Sequence, residues 1–129
     1  MQKKLINPWN WQTARNYEQA VEIVAPQRTL YLSGQAAIDD NGNSSTAGME
    51  IQLATAIQNV EHVLRQAHYP VHSIVKITVY TVSLHELSSH FQLLQNWIKH
   101  HQIETALTVV EVKGLFETLK VELDVIAVQ

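Results

Sequence analysis

Two apolar segments, Ala106-Leu-Thr-Val-Val-Glu-Val112 and Leu119-Lys-Val-Glu-Leu-Asp-Val-Ile-Ala-Val128, decide the fold. Both are rich in β-branched residues, which favour a pleated, half-buried strand. Across positions 120–125 charged residues alternate with aliphatic ones, so this strand has one face in a core and one face that presents acids. The linker between the segments holds Gly114, the predicted turn residue of a final strand pair. We expect any chemistry to take place on the acidic face of this last strand, opposite the surface that Leu107 presents on the preceding strand.

Upstream of this pair the sequence predicts two amphipathic helices. The first begins near Thr46 and ends near Ala67. The second begins at a capping box formed by Ser83 and Glu86 and ends near His101. Apolar residues recur on one face of each helix, at Leu53, Ile57, Val60 and Leu64 in the first and at Leu87, Phe91, Leu94 and Ile98 in the second.

Three further strands precede the final pair. Residues 19–24 and 29–35 are close enough to form a hairpin, and 74–82 is the clearest strand in the chain. The order strand, strand, helix, strand, helix, strand, strand predicts an α+β fold, with one mixed sheet and both helices on one face. The other face includes a semi-polar set around Tyr31 and Ser33, which predicts a homo-oligomer of closed cyclic symmetry.

The remaining segments predict little regular structure. Residues 1–16 contain Pro8 and several asparagines, so we expect them to be irregular. Trp9 and Trp11 would share one side of an extended segment, as a lid over a core edge or subunit interface, or as the wall of a pocket. Residues 38–48 are a predicted loop.

Composition excludes several classes of protein. The 129 residues have the size of one domain, and they contain no cysteine for disulfides, thiolate metal sites or thiol catalysis. No apolar run approaches the ~20 residues that span a bilayer, and no signal-peptide segment is evident, so we expect a cytoplasmic protein. The formal net charge of −3 and the scattered basic residues disfavour nucleic-acid binding.

The chain resembles the RidA (YjgF/YER057c/UK114) family of reactive-intermediate deaminases. No single motif carries the resemblance, which rests on an ordered set that covers most of residues 17–129. The set comprises Tyr17-Glu-Gln-Ala-Val21, Leu32-Ser-Gly-Gln35, Ile74-Val-Lys-Ile-Thr-Val-Tyr80, Lys113-Gly-Leu115 five residues before Val121-Glu-Leu123, and Ile126-Ala-Val128.

The resemblance implies a chorismate-mutase-like fold over one domain, 1–129, assembled as a homotrimer with ligand clefts between subunits. It implies hydrolysis of imines and enamines, as in 2-iminobutanoate/2-iminopropanoate deaminases, with no cofactor or metal. By position, Tyr17 and Ser33 match the family's substrate-binding tyrosine and serine. Glu122 matches the carboxylate thought to hold the attacking water, and His90 stands where many members have asparagine.

Leu107 is the decisive departure, because it stands where the deaminases place an arginine that clamps the substrate carboxylate. A guanidinium offers bidentate, charge-assisted hydrogen bonds and leucine offers none. Removing one partner of such a pair costs about 2 to 5 kcal/mol, or roughly two to four decades in binding. We therefore expect a more apolar or uncharged ligand, unless Arg15, Arg28 or Lys113 supplies the missing cation.

Each site residue also has a structural explanation. Glu122 can belong to a solvated strand face, Ser33 can satisfy backbone groups at a strand end, and Tyr17 can close an interface. His68 and His72 have helical spacing, but Pro70 between them disfavours the helix that would put both on one face. Nothing in the sequence matches a zinc signature. Three functions stay open: a RidA-like hydrolase that uses Glu122, a trimer that binds a metabolite without chemistry, and an RNA-directed role that the acidic balance disfavours.

Overall fold

The chain, described over all residues 1–129 by a computed structural model, folds into seven strands and three α-helices. In chain order these are β1 (Gln2–Ile6), β2 (Ala20–Val24), β3 (Thr29–Tyr31), β4 (Gln35–Ala36), α1 (Met49–Gln66), β5 (Ile74–Thr81), α2 (Leu84–Ser88), α3 (Phe91–His100), β6 (Ala106–Glu111) and β7 (Val121–Val128). Short 3₁₀ turns at Thr13–Arg15 and Val71–Ser73 precede β2 and β5. The predicted α+β class is confirmed.

Strand β7 lies inside the main sheet, whose order is β3-β7-β5-β6, with β4 also paired to β7. It runs antiparallel to β3, β4 and β5, whereas β5 and β6 are parallel. The sheet is therefore mixed, as predicted, but the last two strands are not neighbours. Gly114 does not make a hairpin turn between them, and the left-handed residue of this linker is Glu117, with φ 49°.

The first strands pair differently from the prediction. Residues 2–6 are not irregular: β1 pairs antiparallel with β2, from Gln2 opposite Val24 to Ile6 opposite Ala20. Strand β3 pairs with β7, so the expected hairpin of β2 with β3 is wrong. Ala25 adopts φ 53° just before Pro26, and this turn directs the chain out of β2 toward the main sheet.

The core lies between the helices and one side of the main sheet. The odd-numbered residues of β7 from Val121 to Ala127 are fully buried there, as are Ile77 and Val79 of β5. They pack with the predicted stripe of α1 and with buried side chains of α2 and α3. Because burial of one large aliphatic side chain is worth about 1.5 to 3 kcal/mol, this layer dominates the stability of the fold.

The predicted second helix is two helices that meet at Ser89 and His90. Ser83 caps α2 as predicted, since its hydroxyl accepts the amide N–H of Glu86 at 3.1 Å. The Glu86 carboxylate pairs with Lys120 at 3.2 Å instead of turning back to complete the capping box. Serines favour turns over helix interiors, and the Ser88 hydroxyl donates to the His85 carbonyl at the break.

The predicted loop at 38–48 is held by Asp39. Its carboxylate accepts the amides of Asn41 and Asn43, both at 2.9 Å, and Gly42 between them adopts φ 80°. The Asn43 amide lowers the pKa of Asp39, desolvation opposes this effect, and the Asn41 amide supports it. None of the helices has the length and hydropathy to cross a membrane.

Candidate functional site

Glu122 lies on the side of the sheet opposite the helices, which we call the open face. It is in register with Tyr80 of β5, and Tyr80 is in register with Val110 of β6. The side chain of Glu122 crosses directly over Gly34. A Cβ atom added at Gly34 would lie only 2.8 Å from Glu122 Cγ and closer still to the carboxylate, so the absence of a side chain at 34 gives Glu122 its place.

The carboxylate of Glu122 has no charged partner in this chain. The ion pairs are Lys3 with Glu104, Glu86 with Lys120, and His90 with Glu50. Ser33 is exposed and precedes Gly34, so Ser33 and Glu122 belong to one surface region. We call Ser33, Gly34 and Glu122 the acid half-site. An unpaired, half-buried carboxylate can accept a proton or orient a water molecule.

Leu107 lies on the opposite side of the same sheet. It is in register with Ile77, and Ile77 is in register with Val125, both fully buried under the helices. Leu107 itself is half-buried and packs against this core. Because positions 125 and 122 have opposite parity along β7, Leu107 and Glu122 are on different faces. One chain alone does not bring them together.

Tyr17 is placed near Leu107 by a short backbone pairing. The amide N–H of Glu18 donates to the Thr105 carbonyl at 2.8 Å, and Glu18 forms a parallel bridge with Ala106. In this parallel pairing Tyr17 lies beside Thr105 and Gln19 lies beside Leu107, so Tyr17 and Leu107 share one side of the pairing with an offset of two residues. We call Tyr17 and Leu107 the aliphatic half-site, at the β6 edge of the sheet.

His90 belongs to neither half-site. It is the residue before α3, and its Nδ1 lies 4.0 Å from the Glu50 carboxylate in the first turn of α1. This contact joins the helix break to α1. The structure therefore gives His90 a helix-to-helix contact, and its predicted role in ligand binding stays a prediction.

Beside the aliphatic half-site, a groove of about 500 Å³ runs between β6 and the two short helices. Its lining is Leu84, Leu87, Ser88, Ser89, Phe91, Gln92, Gln95 and Val109, and none of these side chains is charged. Val109 is two residues from Leu107 and thus on the same side of β6. We call this the neutral groove.

Sequence reasoning missed the neutral groove and the residue that borders it. Glu111, two further along the same side of β6, accepts the backbone N–H of Leu84 at 2.9 Å and so ties β6 to the start of α2. The signal that was present in the sequence is the Ser88-Ser89 pair, because two serines within an apolar helical pattern mark a break.

The three candidate replacement cations have different positions. Arg28 is engaged at the far end of β7, where it donates to Gln129 and to the His68 carbonyl and stacks on Tyr69 at 4.2 Å. Arg15 lies 5.8 Å from the ring of Trp11. Lys113 is exposed just after β6, at the same end of the sheet as Glu122.

Trp9 and Trp11 are each more than half exposed in this chain, at 59% and 57%. They are therefore not a lid over this chain's own core. The chain holds no group of three histidine, aspartate or glutamate side chains arranged to bind a metal ion.

The family model described as endoribonuclease L-PSP matches residues 10–129. A RutC family protein of Buchnera aphidicola subsp. Baizongia pistaciae is 30% identical over 112 residues, which cover 86% of this chain and 84% of that protein. The Mus musculus protein named 2-iminobutanoate/2-iminopropanoate deaminase is 26% identical over 114 residues, 88% of this chain and 81% of that protein.

Among solved structures, the protein YyfB of the conserved Rid family from Yersinia pestis has a TM-score of 0.84 at 24% identity, and the match covers all of both chains. That likeness shows the fold. The class defined by this sheet, with its helices on one face, is the Rid-type α+β fold. The match to the family model over nearly the whole chain goes further, and the protein belongs to the RidA family, as its sequence motifs predicted.

Proposed function

We propose that this protein binds an uncharged imine or carbonyl compound in a cleft between subunits of a homotrimer, and that it hydrolyses the imine. In this proposal one subunit supplies the aliphatic half-site and the neutral groove, and its neighbour supplies the acid half-site. The opposite-face arrangement of Leu107 and Glu122 supports it, because two such residues can meet only across two chains.

The uncharged lining of the neutral groove is the observation that carries the ligand class. A carboxylate that entered it would lose its hydration and find no cation, and an unpaired buried charge is strongly unfavourable. Leu107 adds an apolar surface where the family's deaminases have a guanidinium. A small neutral ligand loses little hydration there and gains apolar contact.

The chemistry assigned to Glu122 is that of a general base. Its carboxylate removes a proton from a water molecule, and the water oxygen adds to the carbon of the C=N bond. The same proton then passes to the nitrogen and gives an amino alcohol. Glu122 next takes the proton of the new hydroxyl and delivers it to the nitrogen as the C–N bond breaks, so ammonia leaves and the carbonyl compound remains. The products balance as one carbonyl and one ammonia for each imine and water consumed.

The alternative is a trimer that binds the neutral metabolite without chemistry. It rests on the exposure of Ser33 and on the absence of any hydrogen bond from another side chain to the Glu122 carboxylate. The two proposals differ in one test. The substitution Glu122→Gln removes the base and keeps the shape of the side chain. If the protein is a hydrolase, this substitution abolishes turnover, and under either proposal it leaves ligand binding intact.

A matched pair of substrates tests the ligand class. The imine of a small neutral ketone and 2-iminopropanoate are generated in the assay, and ammonia release is measured for each. We expect turnover of the neutral imine to exceed that of the carboxylate by at least about tenfold, because only the carboxylate meets an uncompensated desolvation. Equal or reversed preference would contradict the assignment.

The trimer has a separate test. Light scattering on the wild type should give three times the chain mass at micromolar concentration. A monomer that still turns over the neutral imine would show that the acid and aliphatic half-sites do not act together.

A further inference from the structure

A second cleft lies where strand β1 meets the end of helix α3, and it shares no residue with either half-site, although its lining residue Asn16 directly precedes Tyr17. Its volume is about 500 Å³, and its lining includes Lys3, His72, Ile98, Lys99, Ile103 and Glu104. Two ammonium groups and one imidazole face one carboxylate. The cleft therefore has a net positive charge, in a protein whose net charge is −3.

Lys3 is the unusual member of this cleft. On β1 it alternates with the exposed Lys4, and it is in register with the half-buried Ile23 of β2. Its side chain is only 17% exposed, yet its Nζ makes no hydrogen bond and reaches its nearest acid, Glu104, at 3.7 Å. An ammonium carries three donors, and 3.7 Å is too long for a hydrogen bond. Its donors therefore remain available to a ligand.

The other lining residues indicate what that ligand is. Ile98 and Ile103 lie at the base of the cleft with 4% or less of their surface exposed, so the apolar floor is small, whereas Lys3 and Lys99 provide cations at the cleft. An anion with a short hydrocarbon tail satisfies both features, because its head binds ammonium groups and its tail covers the floor. We propose that this cleft binds a small aliphatic carboxylate.

The cleft is separate from the neutral groove and shares no residue with it. Lys3 also precedes residue 10, where the match to the family model begins. The site therefore depends on a strand outside the matched region, and its failure would leave the function proposed above intact.

Backbone amide NMR tests the proposal with three probes at constant ionic strength: butyrate, the uncharged butyramide, and inorganic phosphate. We expect butyrate to give saturable shifts in the millimolar range at the amides of Lys3, Lys99 and Gln102, which also lines the cleft. Butyramide and phosphate should bind at least about tenfold more weakly, since one lacks the charge and the other lacks the tail.

Three variants localise the effect. Lys3→Met and Lys99→Met remove an ammonium and keep an apolar stem, and each should weaken butyrate binding about tenfold. Lys4→Met removes the same charge from the exposed side of β1 and should leave binding unchanged. Thermal melts establish that all three are folded. The proposal is overturned if butyramide or phosphate matches butyrate, if Lys4→Met and Lys3→Met behave alike, or if butyrate gives no saturable shift.

Discussion

The two faces of the main sheet have different roles, although the same strands form both of them. On the covered face, β7 presents Val121, Leu123, Val125 and Ala127, all fully buried. On the open face, it presents Glu122, Asp124 and Ile126, all half-buried. The first set makes the fold, and the second is available for a ligand or another subunit. Alternation along one strand thus lets the open face change while the core is kept.

The open face is not uniformly polar. Tyr31 is 74% exposed and in register with the aliphatic Ile126. Such mixed aromatic and aliphatic surface is typical of protein interfaces. The comparison therefore predicts that substitutions on the covered face change stability and that those on the open face change assembly or binding.

The largest expected effect is on the covered face. Leu123→Ala removes a fully buried side chain from the middle of the core and should lower the free energy of unfolding by about 2 to 5 kcal/mol. Its neighbour on the open face gives the matched control, because Asp124→Asn should change the free energy of unfolding by less than about 1 kcal/mol. Urea denaturation measures both. Similar losses for the two variants would break the contrast between the faces.

The next effect is on assembly. Ile126→Asp puts a charge into the open face, and it should dissociate the proposed trimer because burial of an unpaired carboxylate is strongly unfavourable. Light scattering reports the mass, and circular dichroism establishes that the chain is folded. Ile51→Asp, at a 62% exposed position of α1, is the control. If Ile126→Asp keeps the mass of the wild type, the open face is not the interface.

A smaller effect is a gain of binding at the aliphatic half-site. Leu107→Arg should strengthen the binding of a small keto acid at least about tenfold, because it restores a charge-assisted partner for the carboxylate. Thr108→Arg adds the same charge on the other side of β6 and should give no gain. Calorimetry measures both. No gain in a folded Leu107→Arg variant would remove Leu107 from the ligand site.

Gly34→Ala tests the acid half-site with a still smaller change in stability. The added Cβ meets the Glu122 side chain from Cγ to the carboxylate, and that side chain can take another rotamer, so we expect a loss of about 1 kcal/mol. Activity on the neutral imine should fall as the carboxylate moves. In a double-mutant cycle, Glu122→Ala should abolish the stability loss, and additive losses would show that the two residues do not touch.

The smallest effect is expected at Asp39, which lies on neither face. Its folded pKa is below 3.8, so its contribution to stability is present above that pH and is lost as the pH falls through the folded value. Asp39→Asn should therefore be slightly less stable than the wild type at neutral pH and equal to it in strong acid. Denaturation midpoints across this range measure the difference. A difference in denaturation midpoint that persists in strong acid would mean that the Asp39 carboxylate is not what stabilises the loop.

Local pattern was enough to predict the elements that have a strong period. The stripe of α1, the strand at β5, the alternation in β7 and the cap at Ser83 are all present, because each depends on neighbours within one or two turns of chain. The family was also predicted, from motifs that are spread over the chain.

Long-range pairing was not predictable from such signals. Nothing local distinguishes β2 as the partner of β1 from β2 as the partner of β3, and the left-handed turn at Ala25 that separates β2 from β3 has no glycine to announce it. The site was limited in the same way. Leu107 and Glu122 were expected at one cleft, and only the register of β5 between their strands puts them on opposite faces.

The position of β7 also has a consequence for how the protein is made. Strand β3 has no partner in the main sheet except β7, which follows it by about ninety residues in the chain. While a ribosome is still translating the segment before Val121, β3 and one edge of β5 have nothing to pair with, and unpaired edges favour aggregation. Nascent chains that stall there should need a chaperone, and folding should begin only when the last strand has emerged.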